Sequence, residues 1–231
     1  MIVPTSVKER NPSHALVGVI ASASDLKRAL RLRRPPEFFE LRLDTLPPDV
    51  AATAAELLCQ PLIVTARHPD EGGRNRLSTR QRRDLLLRFL PYAAFVDVEL
   101  RSAKTLRSVL EAAADRAVKR IISVHELDRT PSLRELKNIV QRARTFSPDL
   151  VKIVTRTDRA DELARLLDFF EQENNRHPLC AMGVGRLGRE SRIALARRGS
   201  YLHYVHLGTR TVAGQLSIPE ARRLRLTSGT R

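Results

Sequence analysis

Cysteine is nearly missing from this chain, which holds only Cys59 and Cys180 in 231 residues. The two lie in unrelated segments without metal-ligand spacing. That argues against a disulfide framework and fits a reducing cytoplasm. Aromatic residues make up only 4%, and neither a ladder of stacking side chains nor a nucleic-acid motif is present. No apolar run is long enough for a membrane span. The stretch Ala15 to Ala21 falls far short of the roughly 20 residues a bilayer requires. Met1 to Thr5 carries no charged region leading into a long apolar stretch, so no secretory leader is expected. Lysine is scarce too: of 41 basic residues only six are lysines, Lys8, Lys27, Lys104, Lys119, Lys137 and Lys152.

What is abundant is arginine, and the formal charge is +15. Arg28, Arg31, Arg82, Arg83, Arg116, Arg120, Arg197 and Arg198 are scattered over helical stretches. The charge is therefore read as a solvated surface that draws small anions, with nucleic acid not expected as a partner. Against this habit one lysine sits in an apolar, β-branched run, Leu150-Val151-Lys152-Ile153-Val154. Burial there disfavours the ammonium and moves it toward a nucleophilic amine. Arginine could not serve, since it stays charged. The plainer alternative is a strand-end lysine paired with a carboxylate.

Apolar runs at 15–21, 38–43, 62–66, 94–99, 120–124, 150–154, 179–182 and 201–206 have strand character. Helical spacing fills 24–33, 49–58, 78–90, 102–116, 132–145, 160–174, 190–198 and 217–225, and Ser132 with Glu135 has capping-box spacing. Eight strand–helix units suit a single (β/α)₈ TIM barrel over 1–231, with an open doubly wound sheet as the alternative. In a barrel, chemistry belongs at the C-terminal strand ends. The unusual polar residues fall there: Glu40 and Arg42 ending strand two, Arg67 and then Glu71 after strand three, His125 closing strand five, Lys152 on strand six, Arg192 after strand seven, and Thr211, Gly214 and Gln215 after strand eight.

A lysine amine beside a histidine suits Schiff-base chemistry on a ketone. The iminium acidifies the adjacent carbon, and an imidazole with an ordinary pKa near 6.5 moves the proton. A carboxylate such as Glu71 would orient the ring, and arginine would clamp a substrate carboxylate. The residues thus read as a lyase for a small hydroxylated keto acid.

Glu40-Leu41-Arg42-Leu43-Asp44, Thr65-Ala66-Arg67 with Glu71-Gly72-Gly73, Ser123-Val124-His125, Val151-Lys152-Ile153, Ser191-Arg192 and Ala213-Gly214-Gln215 occur in this order. Together they resemble the type I 3-dehydroquinate dehydratase family over nearly the whole chain. The resemblance implies a (β/α)₈ barrel, commonly dimeric, working in the shikimate pathway. Its reaction is syn elimination of water from 3-dehydroquinate through an imine, without metal or organic cofactor. It implies Lys152 as the imine-forming residue, His125 as base and acid, Glu71 as its orienting group and Arg192 as the carboxylate clamp. Glu40, Arg42 and Arg67 would hold ring hydroxyls and charge balance. Thr211 and Gln215 would close over the substrate, and Tyr204 and Met182 would form apolar walls. Departures from the family pattern are Thr211 for serine, Ala213 for proline, Tyr204 for phenylalanine, and a longer stretch from Met182 to Arg192 that brings Arg186 and Arg189 near the clamp position.

Gly183-Val184-Gly185-Arg186-Leu187-Gly188 matches the dinucleotide turn G-x-G-x-x-G. However, no acidic residue occurs between Glu190 and Glu220 to hold a ribose. The glycines read better as a loop turning close beside a substrate. His203 and His206, three apart on a strand, point to opposite faces and do not suggest a metal site. A class I aldolase would share the fold and lysine but not these loop motifs. A basic binding module would need neither.

Overall fold

The computed structural model describes residues 15–226. Eight strands alternate with eight α-helices in it: β1 (Ala15–Ile20), α1 (Ala23–Ala29), β2 (Phe38–Arg42), α2 (Pro48–Leu57), β3 (Leu62–Thr65), α3 (Thr79–Phe89), β4 (Ala93–Glu99), α4 (Arg107–Asp115), β5 (Lys119–Glu126), α5 (Leu133–Arg144), β6 (Leu150–Arg156), α6 (Ala160–Glu173), β7 (Leu179–Val184), α7 (Gly188–Arg197), β8 (Leu202–His206) and α8 (Ile218–Arg223). The leader reading at Met1 to Thr5, and both ends of the 1–231 span, lie outside the described residues. No helix among them is long and apolar enough to cross a membrane.

All strand pairs are parallel and run in chain order, β1 to β7, with β8 paired to β1. A doubly wound sheet would reverse its order at a switch point. Here the first strand sits between the second and the last, so the sheet curls into the (β/α)₈ barrel. Strands β7 and β8 meet at the closing seam without a ladder among the described residues. Tyr201 N–H donates to Leu179 O (3.1 Å) there, and Ser200 Oγ accepts from Ala181 N–H (3.0 Å) and donates to Ala181 O (3.2 Å).

Alternation along each strand sorts side chains to two faces. On β6, Val151 and Ile153 join the outer core beneath the helices. Leu150 and Val154 join a second cluster inside the barrel with Val17, Phe38, Ile63, Phe95 and Ile121. Lys152 shares the inner face with Leu150 and Val154. The same two-residue step carries polar groups upward from the inner apolar layer: Phe38 to Glu40 and Arg42, Phe95 to Asp97 and Glu99, Ile121 to Ser123 and His125. The barrel is thus apolar at its base and ionic near its C-terminal mouth.

Helix boundaries follow the capping chemistry. Ser132 Oγ accepts from Glu135 N–H (3.3 Å) while Glu135 Oε2 accepts from Ser132 N–H (2.7 Å), the expected capping box of α5. Ser78 with Gln81 and Ser217 with Glu220 repeat the arrangement. The helix expected to start at Ser102 begins only at Arg107, because the Ser102 hydroxyl accepts from Arg82 Nη1 (3.0 Å) and the chain first makes a 3₁₀ turn, Leu100–Ser102. Strand β5 runs on to Glu126, so His125 lies on the strand rather than just closing it.

Candidate active site

One cavity at the C-terminal mouth is lined by Lys152, His125, Glu71, Glu40, Arg42, Arg67, Arg192, Thr211, Gln215, Tyr204 and Met182. Every site residue expected from the sequence is therefore brought to one place. Parallel register does much of this: Lys152 lies opposite Ser123 on β5 and Cys180 on β7, and His125 lies opposite Val154.

Lys152 is 3% exposed, so the burial read from its apolar run is real. Carboxylates stand beside it, as the plainer sequence reading of a paired lysine has it. Asp97 Oδ2 accepts from Nζ at 3.0 Å and Glu40 Oε1 lies at 3.7 Å. The Tyr204 ring covers a further side, with its centroid 3.9 Å from Nζ. Low dielectric makes an unpartnered ammonium costly, and the paired arrangement offsets that cost.

Arg67 donates to Asp97 through both terminal nitrogens (3.3 and 2.9 Å) and to Ser123 Oγ (2.8 Å), and pairs with Glu99 at 3.2 Å. Although Arg67 is buried, the Asp97 and Glu99 carboxylates hold it firmly charged. Asp97 is pulled far below the usual carboxylate range by Arg67 and then Lys152, against the effect of its own burial. Arg42 is committed to Asp44 in a two-pronged pair (2.9 and 2.8 Å), and Thr65 Oγ1 donates to Glu40 Oε1 (2.9 Å).

Glu71 ends a 3₁₀ turn, Pro69–Glu71, which aims its carboxyl at β5. One oxygen meets both His125 N–H (2.9 Å) and His125 Nδ1 (3.0 Å). Burial, with Glu99 nearby, pushes Glu71 up to about 8. Burial, with Arg67 and Lys152 adding to it, holds His125 well below its ordinary value. The imidazole is thus neutral near pH 7. When Glu71 is ionised it accepts the Nδ1 proton and leaves the Nε2 lone pair for proton abstraction.

Arg192 lies on the first turns of α7. Its Nη1 donates to Tyr204 O (3.3 Å), and its buried Nε has no hydrogen-bond partner among the described residues. Burial without a carboxylate lowers it to about 10. Arg186 and Arg189 are exposed and do not line the cavity. Thr211 N–H and Oγ1 both donate to Gln215 Oε1 (2.9 and 3.0 Å), tying the loop after β8 to itself.

The glycine motif that begins at the end of β7 serves packing. A Cβ on Gly183 would stand 2.4 Å from Ser191 Oγ, and one on Gly188 would stand 3.0 Å from Ala213 O in the β8 loop. Gly185 has φ +95°, a conformation that only glycine adopts readily. Among the described residues no cluster of three or more His, Cys, Asp or Glu could hold a metal.

The sequence reading missed Asp97, Glu99, Ser123 and Arg82. The first two announce themselves as acids at alternate positions in Val96-Asp97-Val98-Glu99, the same signal as Glu40 and Arg42. Arg82, taken as a surface arginine, is 1% exposed.

The chain matches the family model described as Type I 3-dehydroquinase over residues 18–230. It is 31% identical over 210 residues to the 3-dehydroquinate dehydratase of Thermococcus onnurineus, covering 90% of this chain and 95% of that one. It is 26% identical over 233 residues to the catabolic 3-dehydroquinate dehydratase of Acinetobacter baylyi, covering 94% and 81%. Among solved structures, the type I enzyme of Clostridium difficile with covalently modified comenic acid superposes with a TM-score of 0.82 at 23% identity, covering 92% and 90%. The 3-dehydroquinate dehydratase of Geobacillus kaustophilus gives 0.83 at 20%, covering 91% and 89%. With its barrel fold, its motifs in order and this match along nearly its full length, the chain belongs to the type I 3-dehydroquinase family.

Proposed function

We propose that this chain is a 3-dehydroquinate dehydratase, a hydro-lyase of the shikimate pathway that supplies aromatic amino-acid biosynthesis. The observation that carries the reading is the convergence on one cavity of Lys152, the Glu71–His125 pair and Arg192, whose buried Nε has no hydrogen-bond partner among the described residues.

Lys152 Nζ, as the free amine, attacks the C3 ketone, and the carbinolamine loses water to give an iminium. His125 Nε2 removes a proton from C2, and the electron pair moves into the enamine. The enamine nitrogen then pushes its lone pair to re-form the iminium, the C2–C3 π pair becomes the C1–C2 double bond as the C1–oxygen bond breaks, and His125 returns its proton to the departing hydroxyl. One imidazole serving both steps accounts for loss of hydrogen and hydroxyl from the same face. Water then hydrolyses the iminium, releasing 3-dehydroshikimate and Lys152. Substrate-bound oxygen and carbon are thus balanced by one net water lost.

Arg192 is the clamp for the C1 carboxylate, because its buried guanidinium has no carboxylate partner among the described residues whereas Arg42 and Arg67 are already paired. Glu40, Arg42 and Arg67 set the field around the ring hydroxyls. Tyr204 and Met182 wall the ring, and Thr211 with Gln215 closes above it. The same reading has the chain act as a homodimer in the cytoplasm, without metal or organic cofactor. Its two cysteines, Cys59 exposed and Cys180 buried, are free thiols.

Borohydride reduction during turnover of 3-dehydroquinate should leave a stable adduct on Lys152, located by peptide mass mapping. Lys152→Ala should lose elimination and adduct together. Turnover with no adduct, or an adduct at another residue, refutes the imine mechanism.

A further inference from the structure

Arg82 stands on α3, outside the substrate cavity, and is among the largest fully buried side chains. All three guanidinium nitrogens are committed: Nε to Ala66 O (2.7 Å), Nη1 to Ser102 Oγ (3.0 Å) and Nη2 to Glu99 Oε2. The other oxygen of Glu99 accepts from His68 N–H (2.9 Å) and Arg67 Nη1 (3.2 Å). Arg67 grips Asp97, and Asp97 Oδ2 accepts from Lys152 Nζ at 3.0 Å. Five side chains of alternating charge therefore run from a helix to the amine, none more than 3% exposed. Packing alone does not call for this. A buried ion pair loses as much in solvation as it gains in attraction, and an apolar side chain of similar size would serve the core as well. What the chain of pairs supplies is a fixed place for each member.

We propose that Arg82 is a positioning residue for the reaction: by fixing Glu99 it sets the positions of Arg67, Asp97 and, through them, the Lys152 amine. The inference rests on the imine reading of Lys152. Through Glu99, its ion-pair partner, Arg82 also bears on the charge around Glu71. That carboxyl faces Glu99 from β4, Arg67 from the end of β3, Arg101 from the turn after β4, and the His125 ring and N–H from β5.

The test uses Arg82→Lys, Arg82→Met and Glu99→Gln, each first checked for a cooperative thermal melt. Arg82→Lys keeps the charge but cannot make three directed bonds. It should lower kcat roughly tenfold or more, the scale of a misplaced reacting group, slow borohydride trapping in parallel, and leave KM within about twofold. Arg82→Met should move the acid limb of the kcat/KM profile to higher pH, since Glu99 then acts on Glu71 less opposed. Glu99→Gln should move it to lower pH. A purely structural role would lower the melting temperature without shifts of opposite sign. If Arg82→Lys folds and keeps wild-type kcat and trapping rate, the inference is overturned. Should Arg82→Met fail to fold, Arg82→Lys and Glu99→Gln still decide. Absence of a Lys152 adduct in the wild type is a different failure, which removes the imine reading itself.

Discussion

Removing the His125 imidazole takes away the group that both accepts and returns the proton while leaving the imine carbon's partner in place. His125→Ala should therefore slow elimination by about 10²- to 10⁴-fold yet still yield a borohydride adduct on Lys152, read by steady-state kinetics and mass mapping on one sample. Near-wild-type turnover would move the proton shuttle to another residue. The Glu71–His125 pair also predicts a pH dependence. Below about 8 the Glu71 carboxyl keeps its proton and donates it to Nδ1, which puts the remaining ring proton on Nε2 and blocks base action. Ionisation of Glu71 reverses this, so kcat/KM should rise with an apparent pKa of about 8 belonging to the pair, and Glu71→Gln should abolish that limb. Stability runs the other way. The folded value of Glu71 is raised, so its contribution is fully present below its unfolded value of 4.5 and is lost as pH rises through about 8. Urea midpoints across that range, with Glu71→Gln as control, separate the two effects.

Elements place these residues, and most of them could be read from the sequence because strands announce themselves by apolar runs and helices by their caps. Lys152 is the clearest instance: its position between Val151 and Ile153 forces it to the inner face that Leu150 and Val154 also occupy. Arg82 shows where such reading stops. A helical arginine looks solvated in a chain this basic, and only the fold reveals that Glu99 and Ser102 wait for it. Asp97 carries a legible signal as an acid alternating along an apolar strand, but its partners are 30 and 55 residues away and only the fold names them. The loop after β8 makes a prediction of its own. Gly214 has φ +83°, and a Cβ there would lie 2.5 Å from Gly188 C and 2.6 Å from Arg189 N. Gly214→Ala should push the loop carrying Thr211 and Gln215 off the start of α7. It should lower kcat/KM by up to about 10²-fold, as a displacement of an ångström does, with the barrel still folded by circular dichroism.

Across the whole molecule, the ionic layer at the barrel mouth couples folding to pH. Asp97 titrates far below its unfolded value, so the stability it contributes is complete above about 3.9 and is lost as pH falls below it. Asp97→Asn leaves Arg67 and Lys152 short of a buried anion and should cost about 3–5 kcal/mol at pH 7. The gap between mutant and wild type in urea unfolding should narrow toward pH 3, and a constant gap would show that Asp97 acts by packing alone. Buried guanidinia at Arg67, Arg82 and Arg192 account for part of the arginine bias, since a rigid fork suits directed pairing better than an ammonium; nothing in the structure explains the preference among the exposed positions. The join between β7 and β8 has a last consequence. Among the described residues seven of the eight interstrand boundaries are zipped by backbone ladders, whereas this one is fastened by the Ser200 hydroxyl, the Tyr201 amide and the Cys180 thiol, which donates to Leu202 O at 3.2 Å. Deuterium should enter the amides along this boundary sooner than those of β2 to β6. Because Arg192 hangs from Tyr204 O beside it, the weakest stitch of the cylinder is also where an incoming anion would tighten it, and a bound substrate analogue should slow exchange there most.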